Sequence, residues 1–96
     1  MNKEDLLNMI PDAERIKDSL EKNLKKQSLK IVSKNGLVSV TINYQQELTD
    51  ITIDNRLLDP GKSKVLKATL IEVTNQAITR ARKKMLEEAA RAINLF

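Results

Sequence analysis

The 96-residue chain contains no cysteine and no histidine, and its aromatic residues are limited to one tyrosine and one phenylalanine. Without cysteine this sequence can form neither a disulfide nor a thiolate metal site. Without histidine it lacks the most frequent general base and the most frequent metal ligand. Two aromatic residues are too few for the stacking platforms that bind single-stranded nucleic acid. We therefore expect no catalytic residues, no metal and no cofactor, and the chain is not expected to be an enzyme.

Long apolar runs are also missing from the sequence. None approaches the ~20 residues that a transmembrane helix requires. The N-terminal stretch Met1–Asp5 is charged and is followed by Pro11, unlike a signal peptide. A chain of this length is typical of one small domain without a deep substrate cleft. These features predict a single cytoplasmic domain, residues 1–96, with no membrane partner and no small-molecule substrate.

The last third of the chain carries the longest helical pattern. Its apolar residues recur three or four positions apart, as in Leu66, Leu70, Val73, Ala77, Ala81 and Met85. Asp59 is suited to cap this helix and Pro60 to occupy its first position. A helix from Pro60 to about Ile93 would span roughly 50 Å, about twice the extent of a compact domain of this size. We expect its far half to project from the core or to be covered by a second chain.

The first two thirds of the sequence are predicted to form one helical region followed by three strands. A helix is predicted over about 3–27, and the sequence leaves open whether Pro11 starts a second helix or kinks one long helix. Strands are predicted over about 29–33, 37–43 and 48–54, with a tight turn at Asn35-Gly36 between the first two. Short connections between sequential strands favour an antiparallel meander. The predicted fold is α+β, in the order α-β-β-β-α, with a three-stranded sheet and two long flanking helices.

Positive charge is concentrated on the C-terminal helix. Residues 62–96 hold eight Lys/Arg and three Asp/Glu, whereas residues 31–61 hold two and four. Arg80, Arg82, Lys83 and Lys84 form the densest cluster, and Arg91 shares a helix face with Arg80 and Lys84. Cations of this kind can bind phosphates. An ordinary solvated helix face is the alternative, because Glu87 and Glu88 lie within reach of the lysines.

A second basic group, of Lys22, Lys25, Lys26 and Lys30, lies near the end of the first helix. The helix dipole favours cations there without any binding role. Lys25 and Lys26 are therefore secondary candidates.

The order and spacing of the strand residues resemble the YbaB/EbfC family of bacterial nucleoid-associated proteins. The resemblance covers roughly residues 20–90 and includes segments such as Gly36–Asn43, Ile51–Leu58 and Thr74–Ala77. It implies a tweezer-like homodimer that binds double-stranded DNA at the nucleoid, in the cytoplasm. Within that reading the DNA would be held mainly by its phosphates, with little base readout. Tyr44 stands where the family often has glycine, so the second strand turn is expected to differ.

One set of residues is predicted to form the core or the dimer contact: Val38, Val40, Ile42, Ile51, Ile53, Leu70, Asn75 and Ala77. Asn75 is either a polar partner across a dimer seam or a solvent-facing residue. The rival reading of the whole chain is a helical protein–protein interaction module that does not bind DNA. Ile71, Ile78 and Met85, spaced by sevens, supply a short coiled-coil seam for it.

Overall fold

Within residues 12–94, two α-helices flank a three-stranded antiparallel sheet, which confirms the predicted α-β-β-β-α order. The computed structural model describes residues 12–94; the part of the first helix predicted before residue 12, together with Pro11, lies outside them. The helices and strands, with their bounds, are α1 (Ala13–Lys26), β1 (Ser28–Val32), β2 (Val38–Asn43), β3 (Leu48–Ile53) and α2 (Ser63–Asn94). Two 3-10 turns, Asn55–Leu57 and Pro60–Lys62, connect β3 to α2.

β2 is the central strand of the sheet. It pairs antiparallel with β1 and with β3, so that Val40 lies opposite Ile31 on one side and Ile51 on the other. Paired residues point to the same face of a sheet. Thr49 has no partner across the ladder, because Thr41 pairs with Asp50 while the next residue of β2 pairs with Leu48. This irregularity is a β-bulge in the edge strand β3.

The turn between β1 and β2 is the one predicted from Asn35-Gly36. Gly36 has φ of 74°, and its N–H donates to the carbonyl of Ser33 at 2.9 Å. A positive φ costs glycine little, because it has no Cβ. The Asn35 side chain reinforces the turn by accepting from the Leu37 N–H at 3.0 Å.

The turn between β2 and β3 caps the end of α1. The Asn43 side chain accepts hydrogen bonds from the N–H groups of Gln45 and Glu47, both at 3.0 Å, and thereby organises the turn. The Tyr44 N–H then donates to the carbonyl of Leu24 at 3.1 Å. The last carbonyls of a helix have no partners within the helix. This turn therefore fastens the C-terminus of α1 to the sheet.

The start of α2 differs from the prediction. Asp59 caps a helical turn as expected, since its side chain accepts from the Gly61 N–H at 2.8 Å. However, the Lys62 N–H bonds to the Asp59 carbonyl at 2.8 Å, an i→i+3 contact that makes this turn a 3-10 helix. The predicted α-helical start at Pro60 is therefore wrong by three residues, and the α-helix begins at Ser63.

The core forms where α2 lies over β1 and β2. Val73, Ala77 and Ala81 are fully buried, four residues apart on one line of the helix. They pack against the inward side chains of β2 in one cluster that also includes Ile31 and Leu57. Alanines at two of the helical positions allow the helix axis to approach the sheet closely, since they are the smallest chiral side chains. This packing fixes the near half of α2.

The far half of α2 extends past the sheet, and α1 lies beside it. The molecule measures 57 × 25 × 16 Å, and its radius of gyration is 17.6 Å, against about 12 Å for a compact domain of this length. The Asn23 side chain of α1 donates to Glu88 of α2 at 3.3 Å. The predicted projection is therefore an arm of two helices. None of the described helices is both long and apolar enough to cross a bilayer.

Candidate nucleic-acid interface

A cleft of about 340 Å³ lies between the edge strand β1 and the flank of α2. Leu29, Lys30 and Ile31 border it from the strand. Its wall on α2 is formed by three cations and one carboxylate: Arg80, Lys83, Lys84 and Glu87. We call this the β1–α2 cleft. It brings together three of the predicted DNA-binding residues.

The charges of this cleft are only partly compensated. Lys84 Nζ lies 3.6 Å from the Glu87 carboxylate, and both side chains are 46% exposed. Neither Arg80 nor Lys83 forms an ion pair with any carboxylate among residues 12–94. Cations without a protein partner can exchange their counterions for phosphates, which is the main source of sequence-independent affinity for DNA. The cleft can therefore accept an anionic ligand.

The other predicted DNA-binding residues lie elsewhere on the molecule. Arg82 is exposed on α2 and does not border the cleft. Lys25 and Lys26 are exposed at the C-terminal end of α1. These two lysines also lie in the last turn of α1, where the helix dipole stabilises cations.

Arg91 borders a different cleft, of about 440 Å³, between α1 and α2. Its guanidinium lies 3.2 Å from Glu88, whose side chain is only 13% exposed. Glu88 also accepts the hydrogen bond from Asn23 that joins the two helices. Arg91 is thus held by a carboxylate with a structural role, although 71% of its own side chain remains exposed.

Lys30 borders the cleft from β1, but Leu29 and Ile31 face α2, so the side chain of Lys30 points to the opposite face of the sheet. The sequence placed Lys30 with the lysines at the end of the first helix, but it lies within β1 and borders the same cleft as Arg80. Arg80 is fifty residues away along the chain. Only the packing of α2 on β1 brings this strand to Arg80, so a pattern of local spacing could not find the β1 side of the cleft.

The predicted core and dimer residues divide by burial. Val38, Val40, Ile42 and Ala77 are buried, and Ile53 and Leu70 are partly buried against the core. Ile51 and Asn75 are exposed. The chain itself therefore does not use these two in its core, and Asn75 faces solvent in the single chain. A role at a dimer contact stays a prediction for both.

An apolar surface is left open beside β3. Ile51 points to the same face as its partner Val40, yet it is 46% exposed, because α2 covers β1 and β2 and leaves β3 bare. Leu48, the first residue of β3, is 41% exposed.

The neighbouring flank of α2 extends this open surface. Gln46, in the turn before β3, contacts Met85 Sδ at 3.7 Å, so the Met85 flank of α2 faces β3. Ile71 and Ile78 share that flank by their spacing of sevens, and Ile71 is 53% exposed. We call Leu48, Ile51 and Ile71 the open apolar surface.

The most perturbed carboxylate lies outside the basic cleft. The Arg56 side chain donates to Asp54 through Nε and Nη2, both at 3.0 Å, and the Arg56 N–H donates to it at 2.9 Å. These hydrogen bonds and the positive charge lower the pKa of Asp54 to about 2. Asp54 caps the 3-10 turn after β3. Among residues 12–94 no three Asp or Glu side chains are grouped closely enough to hold a metal ion.

Nucleoid-associated proteins of two bacteria are similar to this chain over most of its length. A nucleoid-associated protein of Anaeromyxobacter sp. is 29% identical over 87 residues, which cover 91% of this chain and 84% of that protein. A nucleoid-associated protein of Myxococcus xanthus is 28% identical over 90 residues, covering 91% and 86%.

The crystal structure of the uncharacterized protein HP0035 from Helicobacter pylori superposes with a TM-score of 0.78 at 22% identity. The match covers 97% of this chain and 98% of that one, and it shows a common fold. A sequence model of the YbaB/EbfC DNA-binding family matches residues 1–95. The resemblance predicted from the strand residues is therefore confirmed, and this chain belongs to the YbaB/EbfC DNA-binding family.

Proposed function

We propose that this protein binds double-stranded DNA as a nucleoid-associated protein, mainly through phosphate contacts and with little base readout. The observation that carries the proposal is the β1–α2 cleft, in which cations from one helix face gather without full compensation by carboxylates. Family membership and the names of the relatives support DNA as the ligand. They also support action at the bacterial nucleoid, and hence in the cytoplasm.

We expect weak base readout because of the side chains that the helices expose. Lysine and arginine side chains on an exposed helix flank hold the phosphate backbone, which carries no direct sequence information. Among the described residues, α2 follows β3 through two 3-10 turns, without the preceding α-helix and turn that would make it the recognition helix of a helix-turn-helix pair. Affinity should accordingly vary little among duplexes of different sequence and strongly with salt.

We further propose that the functional unit is a homodimer joined through the open apolar surface. Ile51 and Ile71 are about half exposed beside a fully buried core, an arrangement that a second copy of the same surface would cover. Two chains would carry twice the formal charge of +4 and present two helical arms. A tweezer-like dimer of this kind would hold one duplex from two sides.

A pair of triple variants tests the DNA site. Arg80, Lys83 and Lys84 are changed to Gln in the first variant. The matched control changes Lys62, Lys64 and Lys67, three exposed lysines at the opposite end of the same helical segment. Both variants lose three positive charges, so net charge alone affects them equally. Binding is measured by fluorescence anisotropy with a labelled duplex of ~30 base pairs, long enough to span several helical turns.

The cleft variant is expected to bind at least tenfold more weakly than the control variant. The slope of log affinity against log salt concentration should become shallower by about 0.9 for each phosphate contact that is lost. Equal weakening in the two variants would mean that general charge, and not this cleft, carries the affinity. Strong binding to one duplex sequence alone would contradict the claim of weak base readout.

A further inference from the structure

The carboxylate of Glu87 lies inside the surface that is proposed to bind phosphate. Among residues 12–94 it is the one acidic side chain bordering the β1–α2 cleft, whose wall on α2 is otherwise formed by Arg80, Lys83 and Lys84. Its Oε2 is 3.6 Å from Lys84 Nζ. A negative charge at this position occupies one of the cations and repels a phosphate that approaches the others.

Stabilisation of the fold does not explain why a carboxylate stands at position 87. Its contact with Lys84 is an exposed i,i+3 pair, and such pairs contribute at most about 1 kcal/mol to stability. The next residue, Glu88, provides the contrast. Glu88 is largely buried and is tied to Asn23 of α1 and to Arg91. Of the two neighbouring glutamates, one therefore connects the helices and the other borders the cleft.

We propose that Glu87 attenuates phosphate binding by the β1–α2 cleft, so that the affinity for the DNA backbone stays below what the three cations could give. The inference rests on the proposed function. Glu87 competes with a phosphodiester for Lys84, and its weak ion pair is broken when the phosphate binds. Loss of this carboxylate releases Lys84 as an additional phosphate contact.

The test compares Glu87→Gln with Glu72→Gln, using the same ~30-base-pair duplex as above. Glu72 is exposed on the same helix, fifteen residues earlier, and therefore roughly 22 Å away along the axis. Each variant gains one unit of net positive charge. One additional phosphate contact contributes about 0.9 decades of affinity at ~0.1 M salt, so Glu87→Gln should bind about fivefold to tenfold more tightly than the wild type. Its salt slope should be steeper by about 0.9, and Glu72→Gln should change the affinity less than twofold.

A double-mutant cycle isolates the competition for Lys84. In a Lys84→Gln background the cation is already absent. Glu87→Gln should there raise the DNA affinity by only a small part of the increase that it gives in the wild-type background. A full gain in that background would show simple repulsion and would overturn the competition mechanism.

The outcomes also separate the two proposals. If the wild type binds duplex DNA and Glu87→Gln matches either the wild type or Glu72→Gln, this inference fails and the proposed function stands. If neither the wild type nor Glu87→Gln binds, both fail.

Discussion

The Asn35 side-chain amide donates a hydrogen bond to the Thr69 hydroxyl at 3.0 Å and thereby joins the β1–β2 turn to α2. Its carbonyl oxygen accepts from the Ser33 hydroxyl at 2.6 Å and from the Leu37 N–H at 3.0 Å. Thr69 and Ser33 are both buried. A single turn side chain therefore satisfies two buried hydroxyl groups and holds the helix above the sheet.

Asn35→Ala is expected to destabilise the protein by about 1–3 kcal/mol, because the buried Thr69 hydroxyl loses its donor and the buried Ser33 hydroxyl loses its acceptor. The free energy of unfolding is measured by urea denaturation. Asn55→Ala serves as the control, since Asn55 is an exposed residue of the 3-10 turn and should stay within about 0.5 kcal/mol of the wild type. Equal stabilities of the two variants would refute the structural role of Asn35.

Close approach between α2 and the sheet leads to a second prediction. Ala77 is fully buried against the core, so Ala77→Leu introduces atoms for which there is no room. Overpacking of this kind costs about 1–3 kcal/mol. Ala90→Leu places the same side chain at an exposed position of the same helix and should leave the urea midpoint almost unchanged. A stable Ala77→Leu protein would mean that the helix sits farther from β2 than the structure shows.

The Asp54–Arg56 pair predicts a specific acid dependence. The pKa of Asp54 is lowered from 3.8 to about 2, so the folded state favours the charged carboxylate. The associated stability is present above about pH 4 and is lost as the pH falls towards about 2. Arg56→Gln should raise the pKa of Asp54 towards its ordinary value, as followed by carboxyl NMR, whereas Arg82→Gln should not. A wild-type titration midpoint near 4 would show that the pair does not form in solution.

Dimerisation is tested by charging the open apolar surface. Ile51→Lys places an ammonium group in the proposed contact and should convert the dimer to a monomer in sedimentation velocity at micromolar concentration. Val32→Lys is the control, because Val32 is also exposed on an edge strand but points to the opposite face of the sheet. A wild-type monomer under these conditions would remove the basis of the dimer proposal, and dissociation in both variants would place the contact elsewhere.

The sequence allowed the fold to be predicted because its local patterns agree with the final packing. The alternation of apolar and polar residues in β2 placed Val38, Val40 and Ile42 on one face, and all three are buried. The Asn35-Gly36 turn follows from glycine's tolerance of positive φ. The exact start of α2 was not predictable, because Asp59 and Pro60 favour a 3-10 turn and an α-helix by similar interactions.

The candidate site was only partly predictable. Helical spacing brings Arg80 and Lys84 onto one face, but it cannot indicate that β1 supplies the other side of the cleft. It also cannot separate Glu87 from Glu88, since adjacent residues differ by about 100° around the helix and only tertiary packing decides which faces α1. Long-range contacts thus determine both the β1 side of the cleft and the different roles of the two glutamates.

The most direct test of the central claim is the salt dependence of duplex binding by the wild-type protein. A labelled random duplex is titrated at about 50 and 200 mM salt, and the dissociation constant is read from fluorescence anisotropy. Phosphate contacts by the cleft predict a loss of affinity of tenfold or more between the two conditions. Affinity that is unchanged by salt, or no binding at the lower concentration, would contradict the account and favour the protein–protein interaction module.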